Sequence, residues 1–342
     1  MPRLELSLSR LELPLVHTFT IARGSESLAR TLVFRLRWGY LIGLGEASPT
    51  PRYDESIESV ERFFGRYRFA VDEPYRLDHI LDALPPAARC GLDIALHDLI
   101  GRDLGRPLWQ LLGLDPHATP ITSFTIGIDS IDRMVAKVLD VRTHPILKIK
   151  LGAGREIETM EAIRAVYTGT IRIDANEAWS PERAVDVLRE LERFDIELCE
   201  QPIPAGSPER LRWIREHVHI PIVADEDARD ARDLAALHGC VDGVNIKLIK
   251  CGGIRAALAM IHTARALGLR IMLGCMVESS ILATAAAHLS PLVDWADIDG
   301  PFLTAHDPFV GVRYGENGRL ILPDGPGLGV AESHEEAVSA QL

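Results

Sequence analysis

Ile146-Leu147-Lys148-Ile149-Lys150-Leu151 alternates like a strand, with Leu147, Ile149 and Leu151 on one pleated face and Lys148 and Lys150 on the other. A second run, Asn245-Ile246-Lys247-Leu248-Ile249-Lys250, also sets lysines in an apolar, strand-like context. These two runs hold four of the chain's five lysines, while the other basic residues, Lys137 apart, are 32 arginines. Arginine keeps its proton under ordinary conditions, whereas lysine can surrender it when desolvated or crowded by another cation. Lysine in a strand can also simply cap an edge or snorkel to water. The neighbours of the two runs decide between these readings.

Outward from them, apolar strand-like runs recur: Ile121 to Ile128, Ile171 to Ala175, Leu198 to Ile203, Pro221 to Ala224, Arg270 to Met276 and Trp295 to Gly300. With Ile146 to Leu151 and Gly243 to Ile249 they make eight. Amphipathic stretches such as Pro181 to Phe194 and Ile254 to Leu267 separate them. Eight strands alternating with helices predict an α/β chain whose core is a parallel (β/α) barrel. The last helix is the exception, because Gly300 to Val310 reads as loop.

Before the barrel, Leu4 to Leu13, Arg30 to Trp38 and Tyr40 to Glu46 alternate like antiparallel strands, and Ala87 to Leu112 has helical spacing. Residues 1–115 are therefore expected to form a small α+β domain with two loops, Val16 to Ser27 and Ala47 to Ser56. Residues 116–310 are expected to be the barrel, and 311–342 a tail that returns to the first domain. Order is not expected at the polar end, Val330 to Leu342.

The composition, 47% hydrophobic and 25% charged, is that of a globular chain, and no apolar run approaches a membrane span. Met1 to Arg10 alternates rather than showing a signal-peptide core, so a cytoplasmic protein is expected. A net charge of −12 argues against a nucleic-acid partner. Five cysteines, odd in number and without a C-x-x-C pair, favour neither a disulfide framework nor a zinc knuckle.

Polar residues recur near the strand ends: Lys150, Asp174, Glu200, Asp225, Lys247, Cys275 and Asp299. That is the face on which barrel enzymes keep their chemistry. Asp174, Glu200 and Asp225 come from consecutive strands, about 4.8 Å apart. Three converging carboxylates need a cation, and an all-oxygen set favours a hard ion, Mg²⁺ first. The plain alternative is that they cap the helices that follow. Lys150 and Lys247 sit four strands apart in a ring of eight, facing each other, and Lys148 shares the face of Lys150. A base on each side of a metal-held carboxylate suits removal of an α-proton from one face and its return on the other. Lys250 is expected to point elsewhere. His217-Val218-His219 precedes a strand, on the barrel's structural face. Gly252-Gly253 could cradle a phosphate or only permit a tight turn.

In order, Lys148-Ile149-Lys150, Asp174-Ala175-Asn176, Glu200-Gln201-Pro202, Asp225-Glu226 and Lys247 through Gly253 resemble the muconate lactonizing enzyme subgroup of the enolase superfamily. A lysine base working beside Mg²⁺ is that superfamily's known chemistry. The resemblance implies a modified barrel of (β/α)7β type under the α+β capping domain. Asp297-Ile298-Asp299 is similar to the ammonium-binding pair of the dipeptide epimerases, particularly the L-Ala-D/L-Glu epimerases. Phe19 to Ser25 and Pro51 to Ser56 resemble their specificity loops.

That likeness implies one Mg²⁺ on Asp174, Glu200 and Asp225. It implies Lys150 as the base for the L-configured residue, Lys247 for the D-configured one, and Lys148 as stabiliser of the enediolate. Asp297 and Asp299 would take the dipeptide's ammonium and Arg23 an acidic side chain. Glu278, a further acid in the strand-seven loop, could instead favour a cationic residue. The expected partner is a small dipeptide, within murein peptide recycling, and the chain could be a homo-oligomer. An o-succinylbenzoate synthase or muconate cycloisomerase would share the metal and lysines without needing the ammonium pair. A non-catalytic metal- or peptide-binding barrel is the remaining reading.

Overall fold

The computed structural model describes residues 2–69, 71–81 and 83–333. Three antiparallel strands open the chain: β1 (Leu4–Ile21), β2 (Gly24–Trp38) and β3 (Leu41–Ala47). The stretch expected as a loop, Val16 to Ser27, is instead the far end of the β1–β2 hairpin, with Phe19, Thr20 and Ile21 paired to Glu26, Ser25 and Gly24. A register shift between Pro14 and Phe19 absorbs Pro14, which has no N–H to give the ladder. Arg23 thus stands at a hairpin tip. The helix Pro86–Leu104 packs on β3, and Gly43 and Gly45 permit it: a Cβ at either would collide with the backbone oxygen of Ala95 or Gly91.

The second unit is a sheet of eight strands in sequential order: β4 (Phe124–Ile126), β5 (Ile146–Lys150), β6 (Thr170–Asp174), β7 (Ile196–Glu200), β8 (Ile222–Ala224), β9 (Gly243–Ile246), β10 (Arg270–Gly274) and β11 (Trp295–Asp297). Every neighbouring pair is parallel. A parallel bridge between Thr122 and Ala296, with Ser123 N–H donating to Ala296 O, joins the two ends into a ring. Helices on the outside cover the apolar faces of the strands, among them Pro181–Leu191 and Ile254–Ala266, where amphipathic spacing predicts helices. Several strands are shorter than their apolar runs. β9 stops at Ile246 and the chain coils into the turn Leu248–Cys251. β11 stops at Asp297, before the short helix Gly300–Leu303.

After the barrel, Phe309–Val310 pairs with Ala331–Glu332, and Leu328 N–H donates to Asp98 on the helix Pro86–Leu104. Of the polar end, Val330 to Leu342, where order is not expected, Ala331–Glu332 is instead held in that strand pair, and residues 334–342 lie outside the described residues. No helix among the described residues is long and apolar enough to cross a membrane.

His288, fully buried after the helix Ser280–Ala287, donates from Nε2 to Leu328 O at 3.0 Å, since a carbonyl can only accept. Burial pushes its pKa down to about 4, against about 6.5 when unfolded. The folded state therefore refuses a proton that the unfolded state takes, and stability falls as pH drops from about 6.5 through about 4. The loss amounts to about 3 kcal/mol. His288→Gln, which keeps a donor but cannot titrate, is expected to flatten that part of a Tm-against-pH curve.

Candidate active site

Period two turns Lys148 and Lys150 inward while Leu147 and Ile149 pack outward, fully buried. The register then levels the strand ends: Lys150 pairs with Asp174, and Asp174 with Glu200. Asp225 and Lys247 follow β8 and β9 directly. The sequence-predicted set thus gathers on the barrel's C-terminal face.

Lys148 is the centre of it. Its ammonium, 2% exposed, lies 2.6 Å from Glu200 Oε2, 2.6 Å from Asp297 Oδ2 and 3.1 Å from Asp174 Oδ2. Lys150 Nζ donates to Asp174 Oδ2 at 2.7 Å, and Lys247 Nζ to Asp225 Oδ2 at 2.9 Å. Desolvation alone would strip the proton from a buried lysine. For Lys148, expected from the sequence as a positive charge, burial works against the ammonium, but Asp297, Glu200 and Asp174 outweigh it and push its pKa well above the lysine range. Asp225 and Glu200 do the same for Lys247.

The carboxylates are unevenly served. Burial disfavours the charge on Asp174, yet Lys150 and Lys148 hold its pKa at about 2. Glu200 goes the other way, to about 7, through burial and the charge of Asp174. Its Oε1 accepts from Asn245 Nδ2 at 2.8 Å, while Oε2 receives no hydrogen bond, only the approach of Lys148. Among the described residues, no three His, Cys, Asp or Glu side chains close on one point as a ready-made cation cage. Lys148 bridges Asp174 and Glu200 instead, and Asp225 is met by Lys247 and Lys250.

Lys250 corrects a second expectation. Because β9 ends early, the turn brings Lys250 Nζ back to Asp225 Oδ1 at 2.5 Å, Asp225 O at 2.6 Å and Asn245 O at 2.9 Å. All three N–H donors are used, so Lys250 is a fixed cation behind Asp225. Gln201 supports the same acid from β7, accepting the Asp225 N–H at 2.9 Å. Asn245 carries no sequence signal beyond its place two residues before Lys247, and Gln201 none beyond its place in the Glu200-Gln201-Pro202 motif.

Gly252 and Gly253, at φ +97° and +106°, are explained by packing, not by phosphate. The Asp93 carboxylate from the first domain fills the helix N-terminus, accepting from Ile254 N–H, and a Cβ on Gly253 would collide with it. His217 takes no metal role either: its Nδ1 donates to Trp213 O at 2.7 Å and its ring packs on Trp213.

Arg23 does reach the mouth, but it is engaged there. Its Nη1 lies 2.7 Å from Glu226 Oε1 and 2.9 Å from Glu177 Oε2. Arg52, from the other loop, pairs with Glu177 at 2.7 Å. Glu278 is 2% exposed, accepts among the described residues from Met276 N–H at 3.1 Å alone, and is driven well above the carboxylate range by burial and by Glu46. Asp299 accepts from Thr125 N–H at 2.7 Å.

Residues 8–113 match the mandelate racemase/muconate lactonizing enzyme N-terminal domain, and residues 131–337 the enolase C-terminal domain-like family. The chain belongs to the enolase superfamily. A curated L-Ala-D/L-Glu epimerase of Bacteroides thetaiotaomicron is 39% identical over 96% of this chain and 88% of its own length. Among solved structures, a dipeptide epimerase of Enterococcus faecalis complexed with Mg and L-Leu-L-Tyr superposes with a TM-score of 0.89 at 34% identity, covering 97% of this chain and 99% of the other. A dipeptide epimerase of Methylococcus capsulatus, complexed with Mg and L-Arg-D-Lys, gives 0.87 at 31% identity, covering 96% and 99%.

Removing the central ammonium leaves three buried acids facing one another. Lys148→Met is expected to lower unfolding free energy by about 3–5 kcal/mol, read by urea denaturation of the metal-free protein.

Proposed function

We propose that the protein is a dipeptide epimerase that inverts the α-carbon of the C-terminal residue. L-Ala-L-Glu is the first choice of substrate, and a murein-derived L-Ala-D-Glu in the cytoplasm is its physiological form. One observation carries the reading: two buried lysines stand four strands apart, each hydrogen-bonded to a carboxylate on the arc between them. A substrate α-carbon between them would present one face to Lys150 and the other to Lys247.

The residues fit a divalent cation. Asp174, Glu200 and Asp225 supply only oxygen, on consecutive strands, and Glu200 Oε2, though 2.6 Å from the Lys148 ammonium, accepts no hydrogen bond. Asp174, Glu200 and Asp225 would hold it, as Mg²⁺. When bound, Mg²⁺ would supply Lewis-acid polarisation of the substrate carboxylate and draw charge from the acids that raise the pKa of Lys247.

The chain's own residues do the rest. In each direction one lysine must start neutral and take the α-proton while the other, charged, delivers its proton to the opposite face. Lys148, held by its three acids, contributes fixed positive charge toward the carboxylate on which negative charge develops. Asp297 and Asp299 form the acidic wall for a free amino terminus, which an o-succinylbenzoate synthase or muconate cycloisomerase reaction would not need. Arg23 is the cation for an acidic side chain, provided it leaves Glu226 and Glu177. Glu278 supports a second reading, a cationic second residue, because this buried acid has no ion-pair partner among the described residues.

Exhaustive chelation is expected to abolish epimerisation of L-Ala-L-Glu and Mg²⁺ to restore it; full activity after chelation refutes the metal role. Asp174→Asn, Glu200→Gln and Asp225→Asn should each weaken Mg²⁺ binding in calorimetry. If L-Ala-L-Lys or L-Ala-L-Arg is the better substrate, the assignment of Arg23 fails and that of Glu278 stands.

The division between the lysines is read by proton NMR in D₂O. Lys150→Ala and Lys247→Ala should both lose epimerisation. Lys150→Ala should still exchange the α-hydrogen of the D-isomer, and Lys247→Ala that of the L-isomer. Sustained epimerisation by either variant eliminates two-base transfer.

A further inference from the structure

The two proposed bases are held in place by different means. Lys150 lies inside a ladder: it pairs with Asp174 across β5 and β6, and the Leu151 N–H that follows donates to Asp174 O at 2.9 Å. Lys247 lies beyond one. β9 ends at Ile246, whose partner on β10 is Leu273, and on the β8 side the pairing already stops at Val244. The position of Lys247 is therefore set by the chain that comes after it. Its carbonyl accepts from Lys250 N–H at 3.0 Å and Cys251 N–H at 3.2 Å, and Leu248 O accepts from the N–H groups of Gly252 and Gly253, both at 2.9 Å. One closed turn thus joins Lys247 to the helix Ile254–Ala266.

That turn is seated on the other domain. Gly253, the residue before the helix, has no side chain with which to satisfy the first N–H groups. Asp93 does so from the helix Pro86–Leu104: fully buried, its Oδ2 accepts from Ile254 N–H at 2.5 Å and from Arg255 N–H at 3.4 Å. The fit leaves no room. A Cβ on Gly253 would collide with Asp93 Oδ2, and one on Gly252 would lie 2.9 Å from Cδ of Arg89, so both positions, at φ +106° and +97°, admit glycine alone. One helical turn on, His97 Nδ1 stands 3.4 Å from the second oxygen of Asp93.

We infer that Asp93 is a positioning residue for Lys247: through this carboxylate the capping domain fixes the base for the D-configured residue, and Lys150, held by its own ladder, is independent of it. The inference rests on the epimerase reading and on its division of work between the lysines. Without the carboxylate two buried N–H groups lose their acceptor, and the turn with Lys247 at its start loses its seat. A displacement of about 1 Å at a reacting group can cost about 100-fold in rate.

Two backgrounds separate the bases. Lys150→Ala reports on Lys247 alone, as exchange of the α-hydrogen of L-Ala-D-Glu in D₂O, and Lys247→Ala reports on Lys150 alone, as exchange of that of L-Ala-L-Glu. Adding Asp93→Ala at saturating Mg²⁺ is expected to slow the first exchange about tenfold or more and to leave the second within about twofold, both read by proton NMR. Arg89→Ala keeps the cap and removes only the packing on Gly252. It should slow the first exchange a few-fold and spare the second, which covers the case in which Asp93→Ala does not fold. A loss shared by both backgrounds, or an undiminished exchange of the D-isomer, overturns the inference. An unmodified protein that epimerises no dipeptide refutes the epimerase reading, and single-lysine variants that exchange neither isomer refute the division between the lysines; either result removes the inference with it and is visible before Asp93 is changed.

Discussion

One ammonium in the barrel mouth, that of Lys148, has to be neutralised without water. At 2% exposure it can persist only among carboxylates, and the barrel supplies them from β6, β7 and β11. That single requirement ties the second strand to the third, fourth and last. It accounts for the register that levels Lys150, Asp174 and Glu200, and for the Ser123 and Asp297 contact at the seam where the ring closes. Since each acid also faces the place where a substrate would sit, the cluster is at once a structural knot and a reservoir of oriented charge. Such fixed charge in a dry site acts without reorganising during a reaction.

The capping domain is joined to this site by acids used in another way. Asp93 on its long helix accepts the N–H of Ile254, at the start of the helix that follows Lys247 and the two glycines. Glu46 at the end of β3 accepts from Ser279 N–H and Oγ and from Leu282 N–H, at the start of the helix that follows Glu278. Buried carboxylates at helix N-termini satisfy otherwise orphaned donors and meet the positive end of the helix dipole. The result is that the first domain grips the barrel just behind strands six and seven. On the opposite side, Arg23 and Arg52 reach Glu177 after strand three. The hairpin tip at Arg23 and the segment around Arg52 are thereby tied to the same acid at the barrel mouth.

What can be read from the chain alone follows from which forces are local. Apolar alternation and turn residues act over a few positions, so the eight strands and the ring of Lys150, Asp174, Glu200, Asp225, Lys247 and Asp299 are legible. Strand ends are not, because they depend on where neighbours stop pairing. That is why Lys250 reads as lying outside the site: counted along an extended strand it points away, whereas the turn Leu248–Cys251 brings it onto Asp225. The Val16 to Ser27 stretch reads as loop for a related reason, since its polar residues conceal a pairing visible only with the partner strand present. Charge partners are least legible. A composition with few lysines points to unusual lysines, but it cannot show that each has its own carboxylate, and the direction of the Lys148 and Lys247 pKa shifts turns on that.

The same pairing bears on how two bases can be matched. A reaction that interconverts an L- and a D-configured residue links states of similar energy, so a lysine much stronger than its opposite would trap a proton on one side. Here Lys150 leans on Asp174 and Lys247 on Asp225, and both of these acids belong to the set proposed to hold the cation. Lys250 tempers Asp225 from behind, as Lys148 tempers Asp174. Each of the two proposed bases is therefore hydrogen-bonded to a carboxylate that a second lysine also contacts. The two sides of the mouth differ in sequence and in strand geometry, yet share one arrangement: a lysine, the carboxylate it hydrogen-bonds and a second lysine on that same carboxylate.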